Sequence, residues 1–115
     1  MGCCGVIHDG LRPARTAEAL MRSRYSAFAL RLSDYLLTSW HPDTRPMAMH
    51  FEPGQQWLGL RIVDTSEGGP GDAAGTVTFE ARYRTGGGRE RTMTERSRFQ
   101  RYAGAWVYVD GEFSD

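Results

Sequence analysis

Arg24 and Glu95 are the two residues whose chemistry is hardest to reconcile with their place in the sequence. Arg24 lies four residues from both Leu20 and Phe28, so a helix here turns its guanidinium into the apolar stripe. Glu95 alternates with Met93, Ser97 and Phe99, so strand parity turns its carboxylate to the apolar side. Neither charge is stable alone in an apolar interior. The expectation is that they meet. Two chemistries follow from that meeting. One is a buried ion pair that fixes a helix against a sheet. The other is a carboxylate that faces an aromatic pocket with a shifted pKa, as general acid or base or as the recognition group for a polar ligand.

Other residues bear on the second chemistry. His41, beside Trp40, suits proton transfer at a pocket mouth; as a cation next to Pro42 it equally suits capping of free carbonyls at a helix end. Tyr25, Tyr35, Tyr83 and Tyr108 are side chains that bury a ring and hydrogen-bond a hydroxyl. Tyr108 or Arg24 would steady negative charge if Glu95 or His41 acted as a base. Ser97 has neither a neighbouring His nor a Gly-x-Ser-x-Gly elbow, so a hydrolase triad has no support. Trp57, Phe99 and Trp106 make either a ligand wall or ordinary core. The chain has no lysine, which removes Schiff-base and Walker-type phosphate chemistry.

The elements that must position these groups are legible from the periodicity. After Pro13, Thr16 can cap a helix running through AEALMRSRYSAFALRL, with Glu18 in its first turn and Ala17, Leu20, Met21, Phe28 and Leu32 as its apolar stripe. Ser33 reads as a second N-cap, before a short helix with Leu36, Leu37 and Trp40 on one side that stops near His41 because Pro42 follows. Residues 43 to 56 hold Pro46, Pro53 and Gly54 and read as a connection. The period then changes to alternation: Leu58, Leu60 and Ile62 on one face, Gly59, Arg61 and Val63 on the other. SEGGPGDAAG, residues 66 to 75, reads as a loop.

Two hairpins carry the inference further. In TVTFEARYR, Val77, Phe79, Ala81 and Tyr83 share a face. A turn at Gly86, Gly87 and Gly88 pairs Thr85 with Arg89, and counting onward opposes Ala81 to Met93, Phe79 to Glu95 and Val77 to Ser97. A second turn at Ala103 and Gly104 opposes Phe99 to Tyr108 and Arg101 to Trp106. One mostly aromatic inner face results, with an acid and a hydroxyl in it.

Composition sets the outer limits. At 115 residues and 40% hydrophobic the chain has room for one core, and the order of elements makes it an α+β domain. The formal net charge is zero, so no summed field recruits nucleic acid or an anionic membrane. The arginines of RERTMTERSRFQR are interleaved with acids, which reads as a solvated outer face. No run is long and apolar enough to span a bilayer, and the first residues carry no secretory pattern, so a cytoplasmic location is expected. The MGCC start departs from the myristoylation pattern at Val6.

The words TAEALMRSRYSAF, DYLLTSWHPDTRP, WLGLRI, ERSRF and WVYVDG, in that order over most of the chain, resemble the bacterial YchJ-like family of uncharacterised proteins. The resemblance implies a cone similar to the nuclear transport factor 2-like (cystatin-like) fold, in which helices pack on a strongly curved antiparallel sheet and leave an internal pocket. The domain would cover residues 13–115. Its pocket would draw on Arg24, Tyr25, Trp40, Trp57, Phe79 and Tyr83, together with Ser97, Phe99 and Trp106. It implies first a module that binds a small molecule or a partner protein. The alternative is an isomerase or dehydratase with Glu95, His41 or Tyr108 at the reacting atoms. In similar cones the outer sheet face often packs on a second copy; here Thr92, Thr94, Arg96 and Arg98 make that face polar, so a monomer or weak homodimer is expected.

The family also carries SEC-C zinc motifs, and residues 1–12 resemble the remnant of one. Cys3 and Cys4 match its second cysteine pair, and His8 could add a third ligand. No other cysteine is present to complete the four-ligand set. Elemental analysis of the purified chain should therefore find zinc well below one equivalent; one tightly held zinc per chain would overturn this.

Overall fold

Thr16 starts the first helix as its residue type predicts. Its backbone is extended (φ −137°, ψ 161°), and its hydroxyl accepts from the Ala19 amide at 3.0 Å, satisfying one of the free donors of the first turn. Helix α1 then runs over Ala17–Leu30 in the computed structural model, which describes residues 14–114. Cys3, Cys4, His8 and Pro13 lie outside the described residues. Ala17, Leu20, Met21 and Arg24 are buried along one stripe, and Phe28 is half-buried.

The end of α1 departs from the expected pattern. Arg31 adopts a left-handed conformation (φ 58°, ψ 46°), and the amides of Arg31 and Leu32 bond back to the carbonyls of Phe28 and Ala27. These bonds satisfy the last carbonyls and stop the helix there, so Leu32 lies beyond the stripe it was assigned to. They also leave no room for a capping residue at position 33. Helix α2 spans Ser33–Thr38 with Leu32 at its N-cap and no side-chain cap, so Ser33 is the first helical residue. Leu36 on α2 is fully buried.

Four strands follow in antiparallel order: β1 Gln55–Glu67, β2 Ala74–Thr85, β3 Arg91–Tyr102 and β4 Ala105–Ser114. The inferred register holds across both hairpins. Phe79 opposes Glu95, Val77 opposes Ser97 and Ala81 opposes Met93; Phe99 opposes Tyr108 and Arg101 opposes Trp106. Ala103 and Gly104 both take positive φ, the conformation that a two-residue hairpin turn needs to match strand twist. Val77, Phe79, Ala81, Phe99 and Trp106 are buried beneath α1. Among the described residues no helix is long and apolar enough to cross a membrane.

Two details of β1 correct the sequence reading. A bulge between Trp57 and Gly59 inserts an extra residue, so Trp57, not Leu58, shares the inner face with Leu60 and Ile62. The expected loop over 66–75 shrinks to residues 68–73, because β1 continues through Glu67 and β2 resumes at Ala74. Gly68 and Gly75 are buried against each other there, and the Gly68 carbonyl accepts from the Ala17 amide at 2.9 Å, tying the hairpin to the start of α1. A methyl group on Gly75 would collide with the Gly68 backbone, which cannot swing aside as a side chain can. Gly75→Ala should therefore lower stability by about 1–3 kcal/mol, read as a fall in the urea midpoint at unchanged slope; an unshifted midpoint would refute this close approach.

Candidate functional site

Helix α1 lays Met21, Arg24 and Phe28 across the inner face of the sheet, and the space between them is not filled. Two adjoining cavities of about 150 and 310 Å³ share Met21, Phe28, Phe79, Glu95 and Phe113 as walls. The smaller is completed by Arg24, Trp40, Ser97 and Tyr108. Tyr25, Gln55, Trp57, Ala81 and Met93 complete the larger.

The polar groups of the smaller lobe are tightly organised. Glu95 is buried, and its Oε2 accepts from the Ser97 hydroxyl at 2.7 Å and the Tyr108 hydroxyl at 2.9 Å. Its Oε1 accepts no hydrogen bond from the described residues. Gly111 makes space for this carboxylate, since a Cβ there would overlap it. Arg24 is also buried; its Nη1 donates to the Leu36 carbonyl at 2.8 Å and to Ser39 Oγ at 2.6 Å. Its guanidinium lies 4.6 Å from the Tyr108 ring centre and 5.1 Å from that of Trp40. Burial pulls the Arg24 pKa down to about 10, which leaves a cation at neutral pH. Burial first, then the Glu95 charge and its hydrogen bond, push the Tyr108 phenol above its ordinary value. Trp40 packs edge-on against Tyr108 at 4.9 Å, and its indole Nε1 is buried without an acceptor among the described residues.

Arg24 and Glu95 thus line one cavity without forming the expected ion pair. Arg24 lies over the C-terminal end of α2, where the Leu36 carbonyl and Ser39 hold it. Glu95 is taken by hydroxyls from its own strand and from the strand beside it. Tyr108 stands between the two, its ring under the cation and its hydroxyl on the carboxylate.

Other expected site residues divide. Tyr25, Trp40, Trp57, Phe79 and Ser97 line a lobe. Tyr83 stacks on Trp57 at 5.5 Å and lines neither. Phe99 is fully buried core. Trp106 donates to the Arg15 carbonyl at 3.2 Å, carries Arg101 over its ring and lines neither lobe. His41 also lies outside. Its amide donates to the Tyr108 carbonyl, its Nδ1 accepts from the Asp43 amide, and its ring meets Tyr102 at 5.2 Å. Trp40 bridges to Tyr108 in an extended segment, so the next residue points the opposite way.

Phe113 and Gln55 were not anticipated. Counting by twos from Tyr108 sends Asp110 and Glu112 inward, but a bulge opposite Arg98 and Phe99 shifts β4, so Gly111 opposes Ser97 and Phe113 opposes Glu95. Asp110 and Glu112 instead pair with Arg98 on the outer face. The glycine after Asp110 was the available signal. Cys3 and Cys4 lie outside the described residues, among which no three His, Cys, Asp or Glu side chains gather as a metal site.

Residues 16–111 match the family model described as YchJ, middle NTF2-like domain. A UPF0225 protein of Streptomyces coelicolor is 54% identical over 98% of this chain and 87% of its own length. A UPF0225 protein of Chromobacterium violaceum is 50% identical over 95% of this chain and 83% of its own. The solution structure of a SEC-C motif containing protein from Rhodopseudomonas palustris superposes with a TM-score of 0.83 at 39% identity, covering 98% of this chain and 90% of that one.

Tyr108 offers a test of this geometry with a definite sign. Its folded pKa lies above the unfolded value of 10, so its contribution to stability is complete below pH 10 and is lost as pH rises through the folded pKa. Tyr108→Phe should cost about 1–3 kcal/mol at neutral pH, because Glu95 loses a donor, and the difference from the parent should shrink under alkaline conditions. Urea unfolding across pH measures both; a difference that stays constant to high pH would contradict the assignment.

Proposed function

Since the chain belongs to the YchJ-like family, with its middle NTF2-like domain at residues 16–111, we propose that this domain binds a small, largely apolar molecule in its two-lobed cavity. The observation that carries the reading is the 310 Å³ lobe walled by Tyr25, Phe28, Trp57 and Met93, with the Glu95 carboxylate at its join to the smaller lobe. Its size falls at the lower end of ordinary ligand sites, and a mostly apolar wall with few converging polar groups is their usual make-up. An apolar ligand would release the water that this cleft of aromatic rings otherwise holds against apolar surface. The protein's own Trp and Phe side chains do not fill it.

A second reading is supported by Glu95 Oε1, which accepts from no donor among the described residues and is free to take a proton from a bound substrate, as an isomerase or dehydratase requires. His41, lying outside the cavity, is not part of that reading. Arg24 or Tyr108 would steady the resulting negative charge. Glu95→Gln separates the two: turnover of a substrate would vanish, whereas binding of an apolar ligand would survive.

Toluene titration followed by NMR tests the binding reading. Saturable shifts should concentrate at the Ala81 and Met93 methyls and the Trp57 indole. Met93→Trp, with its folded circular dichroism checked, should weaken binding by about tenfold through filling of the lobe. Shifts scattered over the outer surface, or none at saturating toluene, would end the proposal.

A further inference from the structure

Glu95 decides what polar group a ligand of the cavity can carry, an inference that rests on the binding reading above. Its two carboxylate oxygens are in different situations. Oε2 accepts from the Ser97 hydroxyl at 2.7 Å and the Tyr108 hydroxyl at 2.9 Å. Oε1 accepts from no donor among the described residues, yet it is not sealed in the interior: the one fully enclosed side-chain polar atom without a partner among those residues is the Trp40 indole nitrogen. Glu95 is 6% exposed and lines both lobes, so the surface that Oε1 retains opens onto their join.

Occupying the cavity changes what that oxygen touches. A hydrocarbon seated across Trp57, Phe79 and Met93 would strip water from Oε1 and put nothing in its place, leaving part of a carboxylate's charge against apolar atoms. A ligand that donates a hydrogen bond to Oε1 removes that cost, and a bond to a charged acceptor is stronger than one between neutral groups.

The donor is narrowed by what else lines the cavity. A ligand carboxylate would bring a second anion against Glu95 with no proton to offer. An ammonium would meet Oε1, but Arg24 already lines the smaller lobe as a cation, and the remaining N–H groups of the ammonium would find no open carboxylate oxygen. An amide brings a further polar atom, its carbonyl oxygen, into an apolar lobe. A hydroxyl brings one proton for one open oxygen, and both donors that Glu95 already accepts are hydroxyls, one aliphatic and one phenolic.

We propose that the cavity takes an uncharged alcohol or phenol, whose hydroxyl donates to Glu95 Oε1 at the join of the lobes while its apolar body lies in the larger one. The test is a matched set of probes sharing one body: p-cresol, toluene, p-methylanisole and p-toluate, titrated into the intact chain by calorimetry and NMR. p-Cresol should bind at least about tenfold tighter than toluene. p-Methylanisole, which keeps the oxygen but lacks its proton, should lose that gain, and p-toluate should bind more weakly than p-cresol. Glu95→Gln, with its folding checked by circular dichroism, should cut the ratio of p-cresol to toluene affinity at least about threefold, a ratio that a general loss of packing would not change. The comparison within the parent protein decides the matter even where that variant does not fold. Toluene or p-methylanisole binding as tightly as p-cresol, p-toluate binding tighter, or an unchanged ratio in folded Glu95→Gln would overturn the hydroxyl assignment while leaving the cavity reading in place. Failure of all four probes to bind would remove the cavity reading itself, and this inference with it.

Discussion

Tyr108 is the point at which the helices, the sheet and the buried charges meet. Its ring carries the Arg24 guanidinium, its hydroxyl holds Glu95, and its backbone exchanges hydrogen bonds with Ser39 and His41. The segment that leaves α2 is thereby bonded to β4, and Arg24 reaches back to the Leu36 carbonyl and Ser39 at the end of the same helix. A cation in an apolar interior is tolerable only where carbonyls, hydroxyls and ring faces replace its water. Here those partners come from α2 and β4, so solvating Arg24 and docking α2 on the sheet are one requirement. The route from cation to carboxylate runs through a neutral phenol, which leaves one oxygen of Glu95 and part of Arg24 uncommitted where a direct ion pair would have engaged them.

Which residues wall the cavity is set by bulges in the outer strands. Each bulge adds a residue to one strand only, which increases twist and reverses the parity of everything beyond it. On β1 the bulge after Trp57 brings that ring to the inner face, where it meets Tyr25, Phe28 and Tyr83. On β4 the bulge brings Gly111 and Phe113 inward, and the absence of a side chain at Gly111 gives the Glu95 carboxylate its space. The outer side shows the complementary consequence: Asp110 and Glu112 converge on Arg98, while Glu80 pairs with Arg61 and Glu90 with Arg82. Such exposed pairs contribute little stability each.

Much of this was legible from residue types alone. Thr16 as helix cap, the inward stripe of α1, the registers of both hairpins and the inner face from Val77 to Tyr108 follow from local rules: a hydroxyl before a helical run, a period of 3.6 or of 2, and a turn length that sets what lies opposite what. The burial of both Arg24 and Glu95 follows from the same counting. Their direct pairing did not. Periodicity states which side of an element a group lies on, not which of several partners on that side it reaches first.

What the sequence determined by itself was therefore topology and facing, because these depend on spacings within a strand, a helix or a hairpin. Only the tertiary structure decided the partners and the cavity. The helix end at α2 captured Arg24, the hydroxyls of Ser97 and Tyr108 captured Glu95, and two bulges exchanged Leu58 for Trp57 and brought in Phe113. A bulge relieves strain between whole strands, and a buried polar group chooses its partners by competition among elements distant in the chain. Neither quantity is written in any short stretch of residues.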